Sequence, residues 1–178
     1  MGTGIIVCGL NGSGKTDLGK ALAKKLHYYF IDHEDLYFPK TRSHYMYESP
    51  RKSEEVEQIM LSEITKHENF VLASVRSPFE SATPYLKLAI VVSAPIEIRI
   101  KRIWTHSYEK FGERMLPGGD LYEQERSFLE LAGKRTVEYA EDWLKDFKGE
   151  IIRVDSTDGI GKNVKEILKI VKGRIDKK

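Results

Sequence analysis

The chain has 178 residues and a mass of 20.5 kDa, which is the size of one domain. With 40% hydrophobic and 31% charged residues it is not a disordered chain, and a net charge of +2 does not indicate a surface built mainly for nucleic acid. The single cysteine, Cys8, excludes an intrachain disulfide framework and a cysteine-rich zinc site. Because no apolar run approaches the ~20 residues of a membrane span and no secretory signal is visible, we expect a cytoplasmic protein without a membrane partner.

Strand-like and helix-like segments alternate along the chain. The apolar, β-branched runs predict strands, in chain order, at 5–8, 28–31, 70–73, 88–92 and 151–154. Apolar residues at helical spacing predict helices over 15–26, from 53 to 64, from 96 to 104, over about 120–147 with a break near 133, and over 164–175. We interpret this pattern as five strands that are each followed by a helix. Such an alternation indicates an α/β protein with a parallel sheet. The least regular stretches, 36–52 and about 105–119, fall in crossovers on the side where such sheets bind ligands.

The strongest motif follows the first strand. The run Gly9-Leu10-Asn11-Gly12-Ser13-Gly14-Lys15-Thr16 matches G-x-x-x-x-G-K-[ST] in full. Its glycines let successive backbone N–H groups point at phosphate oxygens, and the following helix adds its positive N-terminal end. We expect Gly9, Asn11, Gly12, Ser13 and Gly14 to cradle ATP, Lys15 to reach its β- and γ-phosphates, and Thr16 to ligate Mg²⁺.

The sequence lacks the motifs that identify other classes of nucleotide-using protein. The chain has no Asn-Lys-x-Asp base-reading motif of GTPases and no ABC-type signature, and its length argues against a typical AAA+ module. The third strand ends without an acidic pair, at Leu72-Ala73-Ser74-Val75-Arg76. These features weaken the interpretation as a motor or hydrolase.

From the second strand onward the order of motifs resembles the small P-loop kinases, among them shikimate, gluconate, cytidylate and adenylate kinases. The resemblance rests on the glycine-rich loop, L-A-x-x-L at 22–26, F-x-D at 30–32, the run 91–102 with its arginines, R-x-x-x-Y at 135–139, and the segment 154–158. The resemblance covers nearly the whole chain. It implies a three-layer fold with a five-stranded parallel sheet of order 2-3-1-4-5, helices on both faces and a mobile lid.

The same resemblance implies one domain, 1–178, with an acceptor-binding insert at about 36–68 and a lid at about 104–120. It also implies ATP and Mg²⁺ as cofactors. Two positions depart from the family pattern: Ser74 stands where nucleoside monophosphate kinases often carry Asp, and His106 stands where a second lid arginine is expected. Both departures bear on the acceptor and not on the ATP site.

An acidic cluster follows the second strand. Asp32 and Asp35 are candidates for a base that activates a hydroxyl acceptor, and Asp32 is also a candidate for holding Mg²⁺ through water. Glu34 is a candidate acceptor-binding residue. The cluster favours a hydroxyl over a phosphate acceptor, because an ionised phosphate needs no base.

Arginines are the candidates for neutralising phosphate charge, because the planar guanidinium binds phosphate bidentately. We expect Arg102, Arg126 and Arg135 to serve the transferred phosphoryl group and Arg42, Arg51 and Arg76 to hold an anionic acceptor. Tyrosines and a phenylalanine between 37 and 47 favour a flat acceptor.

The sequence therefore predicts ATP- and Mg²⁺-dependent phosphoryl transfer to a small molecule of nucleoside, nucleotide, sugar or sugar-acid type. The alternative is a P-loop switch or regulatory NTPase that acts with a macromolecular partner. Acceptor-dependent ADP release distinguishes the two.

Overall fold

A computed structural model describes residues 2–39, 45, 47 and 49–175 of the chain. Its strands are β1 (Gly4–Cys8), β2 (Tyr29–Asp32), β3 (Phe70–Ser74), β4 (Leu86–Ser93) and β5 (Glu150–Asp155). They form one parallel sheet in the order β2-β3-β1-β4-β5, which confirms the predicted order. In this order β1 lies at the centre, so the loop that follows it lies at the middle of the carboxyl edge of the sheet.

The helices are α1 (Lys15–Leu26), α2 (His33–Tyr37), α3 (Ser53–Lys66), α4 (Ile96–Phe111), α5 (Tyr122–Lys134), α6 (Val137–Glu141) and α7 (Ile160–Ile175). Short 3-10 turns occupy Glu80–Tyr85, Gly112–Met115, Asp142–Lys145 and Ser156–Asp158. None of the described helices is both long and apolar enough to cross a membrane.

The core consists of two apolar layers, one on each face of the sheet. Successive side chains of a strand point to opposite faces, so Ile5 and Val7 enter one layer while Ile6 and Cys8 enter the other. Helices α1 and α7 cover the first face, for example through Leu22. Helix α3 covers the second face, together with Leu144 of the 3-10 turn Asp142–Lys145. These two layers give the three-layer architecture that the resemblance implies.

Two local expectations were wrong in detail, and one was confirmed. Helix α4 continues to Phe111 and a 3-10 turn follows at Gly112–Met115, so much of the stretch 105–119, which was expected to be irregular, is helical. The predicted break near Gly133 is confirmed, because α5 ends at Lys134 and the backbone of Arg135 is extended. A 3-10 turn containing Pro84, and no α-helix, connects β3 to β4.

Candidate functional site

The glycine-rich loop joins β1 to α1, and its backbone is held in conformations that only glycine adopts easily. Gly12 and Gly14 have φ values of 75° and 95°. A Cβ atom on Gly12 would lie 2.3 Å from the carbonyl oxygen of Arg99 in α4. The loop is therefore packed against α4, and a side chain at Gly12 would displace it.

Two arginines of α4 fasten this loop through its carbonyl oxygens. Arg99 is buried, and its Nη1 donates to the carbonyl of Asn11 at 3.2 Å. Arg102 Nη1 donates to the carbonyls of Gly12 and Ser13, both at 3.2 Å, and to Ser156 Oγ at 2.8 Å. The structure thus places Arg102 on the carbonyl side of the loop, where it positions the backbone.

Lys15 and Thr16 begin α1 directly after the loop. Lys15 is only 9% exposed, and burial lowers the pKa of its ammonium group. Thr16 Oγ1 donates to Asp32 Oδ2 at 3.1 Å, which joins the start of α1 to the end of β2. The other carboxylate oxygen, Oδ1, accepts from the backbone N–H of Glu34 at 3.0 Å and so caps α2. A threonine hydroxyl beside a carboxylate is the set of hard oxygen atoms that Mg²⁺ takes, so these residues fit the ion.

Desolvation is the largest influence on the pKa of the Asp32 carboxyl. Burial and the neighbouring acids raise its pKa, while its backbone hydrogen bond and Lys15 oppose the rise. A cation at this position would therefore favour the ionised carboxylate.

A cavity of about 650 Å³ lies over the end of the loop; we call it the phosphate cavity. It brings together the loop residues Asn11, Gly12, Gly14, Lys15 and Thr16, the acids Asp17, Asp32, Glu34 and Asp35, and the basic side chains Lys20, His106, Lys110 and Arg114. Mixed charge of this kind can hold a metal and an anion together.

A second cavity of about 340 Å³ adjoins the first, and we call it the aromatic cavity. It is lined by Asn11, His33, Glu34, Tyr37, Phe38, Tyr45, Tyr47, Ser74, Val75, Arg76, Phe128, Leu131, Arg135 and Tyr139. Asn11, Glu34, Tyr47 and Phe128 line both cavities. Two adjoining cavities, one charged and one largely aromatic, are what two different substrates require.

His33 was not predicted as a site residue, yet it lines the aromatic cavity. Its Nδ1 lies 2.9 Å from Ser74 Oγ, while its Nε2 is buried without a hydrogen-bond partner among the described residues. Burial and the nearby Arg76 lower the pKa of His33 to about 4. The sequence contained one signal: a lone histidine within the acidic cluster, directly after β2.

Arg76, a predicted acceptor-binding residue, and Arg135, predicted to serve the phosphoryl group, both line the aromatic cavity. Arg135 donates to Asn11 Oδ1 and lies over the ring of Tyr139, with Cζ 4.5 Å from the centroid. Its charge also lowers the pKa of Lys15, so the two cations lie near each other. Arg76 is exposed just after β3 and lines the aromatic cavity.

A third cavity, of about 280 Å³, lies on the other side of the loop. Gly12, Gly14, Asp17 and His106 are shared with the phosphate cavity, and Arg102, Ser156 and Asn163 extend it toward β5 and α7. The Asn163 amide donates to the carbonyl of Asp155 at 2.8 Å. Among the described residues, this third cavity shares no lining residue with the aromatic cavity.

The structure does not bring two of the predicted arginines to these cavities. Arg126 is half exposed on α5 and pairs with Glu123 at 2.8 Å. Its neighbour Glu125 is 1% exposed, and one residue along a helix is a rotation of about 100°, so Arg126 points elsewhere. Arg51 donates through Nη1 to the carbonyl of Leu36 and pairs with an acid of α3, which ties α2 to α3. Arg42 lies outside the described residues.

Side chains from the predicted lid contact the insert. Lys110 Nζ donates to the hydroxyl of Tyr47 at 2.9 Å, and that hydroxyl donates to Glu34 Oε1 at 3.0 Å. Arg114 forms a bidentate pair with Asp120, with distances of 2.8 and 2.9 Å. The lid, the insert and the acidic cluster are thereby joined over the phosphate cavity.

Residues 5–125 match the family described as AAA domain, and the chain belongs to that family. The match covers 5–125, and it does not bear on the expectation that the chain is too short for a typical AAA+ module. The fold is at the same time that of the small P-loop kinases, as the resemblance predicted.

Three known proteins illustrate the similarity. A gluconokinase from Sinorhizobium meliloti 1021 has a TM-score of 0.57 at 20% identity, with 92% of this chain and 88% of that chain covered. A shikimate kinase from Acinetobacter baumannii, in complex with shikimate, has a TM-score of 0.56 at 17% identity, with 98% and 95% covered. The uncharacterized protein YqaC of Bacillus subtilis (strain 168) is 23% identical over 177 residues, which is 94% of this chain and 97% of the relative.

Proposed function

We propose that this protein is a cytoplasmic kinase that transfers the γ-phosphoryl group of ATP·Mg²⁺ to a hydroxyl of a small molecule. The observation that carries the proposal is the junction of the phosphate cavity and the aromatic cavity at Asn11, Glu34, Tyr47 and Phe128. A nucleotide on the loop and an acceptor in the aromatic cavity would meet there. The fold supports the proposal because both kinases named above have it.

The loop and its neighbours would hold the nucleotide. The backbone from Gly9 to Gly14 would surround the phosphates, and Lys15, being buried, would be a strong partner for a phosphate oxygen. Thr16 and Asp32 would hold Mg²⁺, which supplies charge neutralisation and fixes the phosphate geometry when bound. Arg135 lies near enough to Lys15 to influence its charge and would stabilise the transferred group.

The two candidate bases have different surroundings. Both carboxylate oxygens of Asp32 accept hydrogen bonds, from Thr16 and from the Glu34 backbone, which suits the metal side. Asp35 is exposed and lines the phosphate cavity. We therefore assign proton removal from the acceptor hydroxyl to Asp35, which would take the proton as the oxygen attacks the γ-phosphorus and ADP leaves.

An ADP-release assay tests this function. Purified protein with ATP·Mg²⁺ is offered nucleosides, nucleotides, sugars and sugar acids, with Lys15→Ala as the inactive control. We expect acceptor-dependent ADP release that is at least about tenfold above the rate without acceptor, because closure over both substrates excludes water. Slow hydrolysis that no small molecule accelerates, but that a protein or nucleic acid does, would instead favour the regulatory NTPase.

A further inference from the structure

The aromatic cavity has a polar pair at one point of an otherwise largely apolar wall. His33 Nδ1 lies 2.9 Å from Ser74 Oγ, and Ser74 itself is 2% exposed. The hydroxyl of Ser74 can donate or accept, so the imidazole can present Nε2 either as a donor or as an acceptor. Nε2 is buried and without a partner among the described residues, a condition that is unfavourable for a polar atom unless a ligand satisfies it.

Aromatic rings surround this pair. The His33 ring lies 5.2 Å from the ring of Tyr37 and 5.5 Å from that of Phe79. Phe38 contacts Tyr47 edge-on at 5.0 Å in the same cavity. Rings at these distances fix the histidine plane and leave flat surfaces for another ring to stack against.

A second group of apolar side chains reaches the cavity from a different part of the chain. Phe128 and Leu131 belong to α5, and Tyr139 to α6. A cavity of about 340 Å³ bordered by rings from α2 and from α5–α6 suits a planar molecule of modest size better than a puckered polyhydroxylated one. Polar side chains such as Asn11, Glu34 and Arg76 also line the cavity, but most of its surface is apolar, which favours stacking of a flat ring over the many polar contacts that a sugar needs.

We propose that His33, held by Ser74, determines acceptor specificity: the acceptor is a planar heterocycle whose edge carries a polar atom that hydrogen-bonds to Nε2. The inference rests on the proposed kinase function, which it deepens by naming the class of acceptor. Loss of the hydrogen bond weakens binding of such an acceptor. It leaves nucleotide binding at the loop unchanged, because His33 lines the aromatic cavity and neither of the other two cavities.

The test compares heterocyclic and non-heterocyclic acceptors with matched variants. Ribonucleosides and their monophosphates serve as planar heterocyclic probes, and gluconate and shikimate serve as non-heterocyclic ones, all with ATP·Mg²⁺. The variants are His33→Phe, His33→Gln, Ser74→Ala and the control His67→Phe. His67 stacks on Tyr29 at 3.6 Å outside the cavity, so its replacement makes the same chemical change elsewhere.

We expect ADP release with at least one planar probe and with neither non-heterocyclic probe. For the active probe, His33→Phe raises the acceptor KM about tenfold or more, His33→Gln restores part of the loss, and the KM for ATP stays within about twofold. Ser74→Ala raises the acceptor KM by a smaller factor, and His67→Phe changes neither constant.

Two results would overturn the inference while leaving the kinase function intact. One is ADP release with gluconate or shikimate and with no planar probe. The other is an unchanged acceptor KM in a folded His33→Phe variant, as judged by its melting curve. If no compound of either kind accelerates ADP release while a macromolecule does, the kinase function itself fails and the inference fails with it.

Discussion

Thr16 Oγ1 lies 3.1 Å from Asp32 Oδ2, so the hydroxyl that follows the loop lysine contacts the carboxylate that ends β2. The contact joins two segments that the sequence separates by 16 residues. It exists because β2 and α1 both reach the carboxyl edge of the sheet, and because Asp32 is held by its cap on α2. Each carboxylate oxygen of Asp32 therefore accepts one hydrogen bond, from Thr16 and from the Glu34 backbone, without any ligand present.

Thr16→Ala should raise the Mg²⁺ concentration needed for half-maximal activity by about tenfold, because the variant loses an oxygen donor. Thr16→Ser keeps the hydroxyl and is the matched control, with an expected change of less than about threefold. A Mg²⁺ titration of ADP release at saturating ATP measures both. Equal Mg²⁺ requirements for the alanine and serine variants would remove Thr16 from the metal position.

Lys15→Ala should abolish phosphoryl transfer and leave the fold intact. Lys15 is buried by the loop, and burial already lowers the pKa of its ammonium group, so its removal relieves a desolvated charge and should not reduce the melting temperature. Turnover should fall by about 10²-fold or more, because the developing charge on the phosphates loses its nearest buried cation. Turnover near that of the wild type would contradict the assignment of the loop.

Features that depend on residues close together in the chain were predictable from the sequence, whereas contacts between residues far apart in the chain were not. The loop was predictable from a local motif, the strands from their apolar runs, and the strand order from the resemblance to the small P-loop kinases. The pairing of His33 with Ser74 was not, because the residues are 41 positions apart and neither type marks a contact. Arg126 was misassigned because charge pattern alone does not show which face of α5 is buried, and Glu125 takes the inward position.

Closure of the lid should be visible in Trp104, which is 43% exposed on α4 and stacks on Tyr108 at 5.2 Å. ATP with an acceptor should change its fluorescence and slow proteolysis between 104 and 119, because closure excludes water from the reacting groups. The Trp143→Phe background isolates the signal of Trp104. Identical protection with and without saturating ligands would contradict a moving lid.

Tyr47→Phe tests the link between the lid and the insert. The substitution removes the hydroxyl that accepts from Lys110 and donates to Glu34 but keeps the ring. We expect the acceptor KM to rise by roughly 3–10-fold, which corresponds to one partly exposed charge-assisted hydrogen bond, with the KM for ATP little changed. Tyr29→Phe, which removes a hydroxyl bonded to Glu63 away from the cavities, is the matched control.

Cys8 should be unreactive in the native protein. It is fully buried in β1, and burial raises the pKa of its thiol from 9.0 to about 12. Only the unfolded thiol ionises as pH rises above 9, so its ionisation favours unfolding, and the free energy of unfolding falls between pH 9 and 12. Labelling by a thiol reagent at pH 8 should follow the unfolding rate, and Cys8→Ala should lose part of the alkaline destabilisation. Rapid labelling of native protein would contradict this.

Asp35→Asn and Asp32→Asn should separate the base from the metal position. If Asp35 removes the proton from an acceptor hydroxyl, Asp35→Asn lowers kcat by about 10²–10⁴-fold, with the KM for ATP and the Mg²⁺ requirement unchanged. Asp32→Asn keeps an oxygen for Thr16 but loses the charge, so its main effect should be a higher Mg²⁺ requirement that saturating Mg²⁺ largely reverses. Glu54→Gln, at the exposed start of α3, is a control for the loss of a surface carboxylate and should change neither constant. A kcat for Asp35→Asn within a few-fold of the wild type, at saturating acceptor and Mg²⁺, would contradict a base at Asp35 and would indicate an acceptor that is already ionised, such as a phosphate.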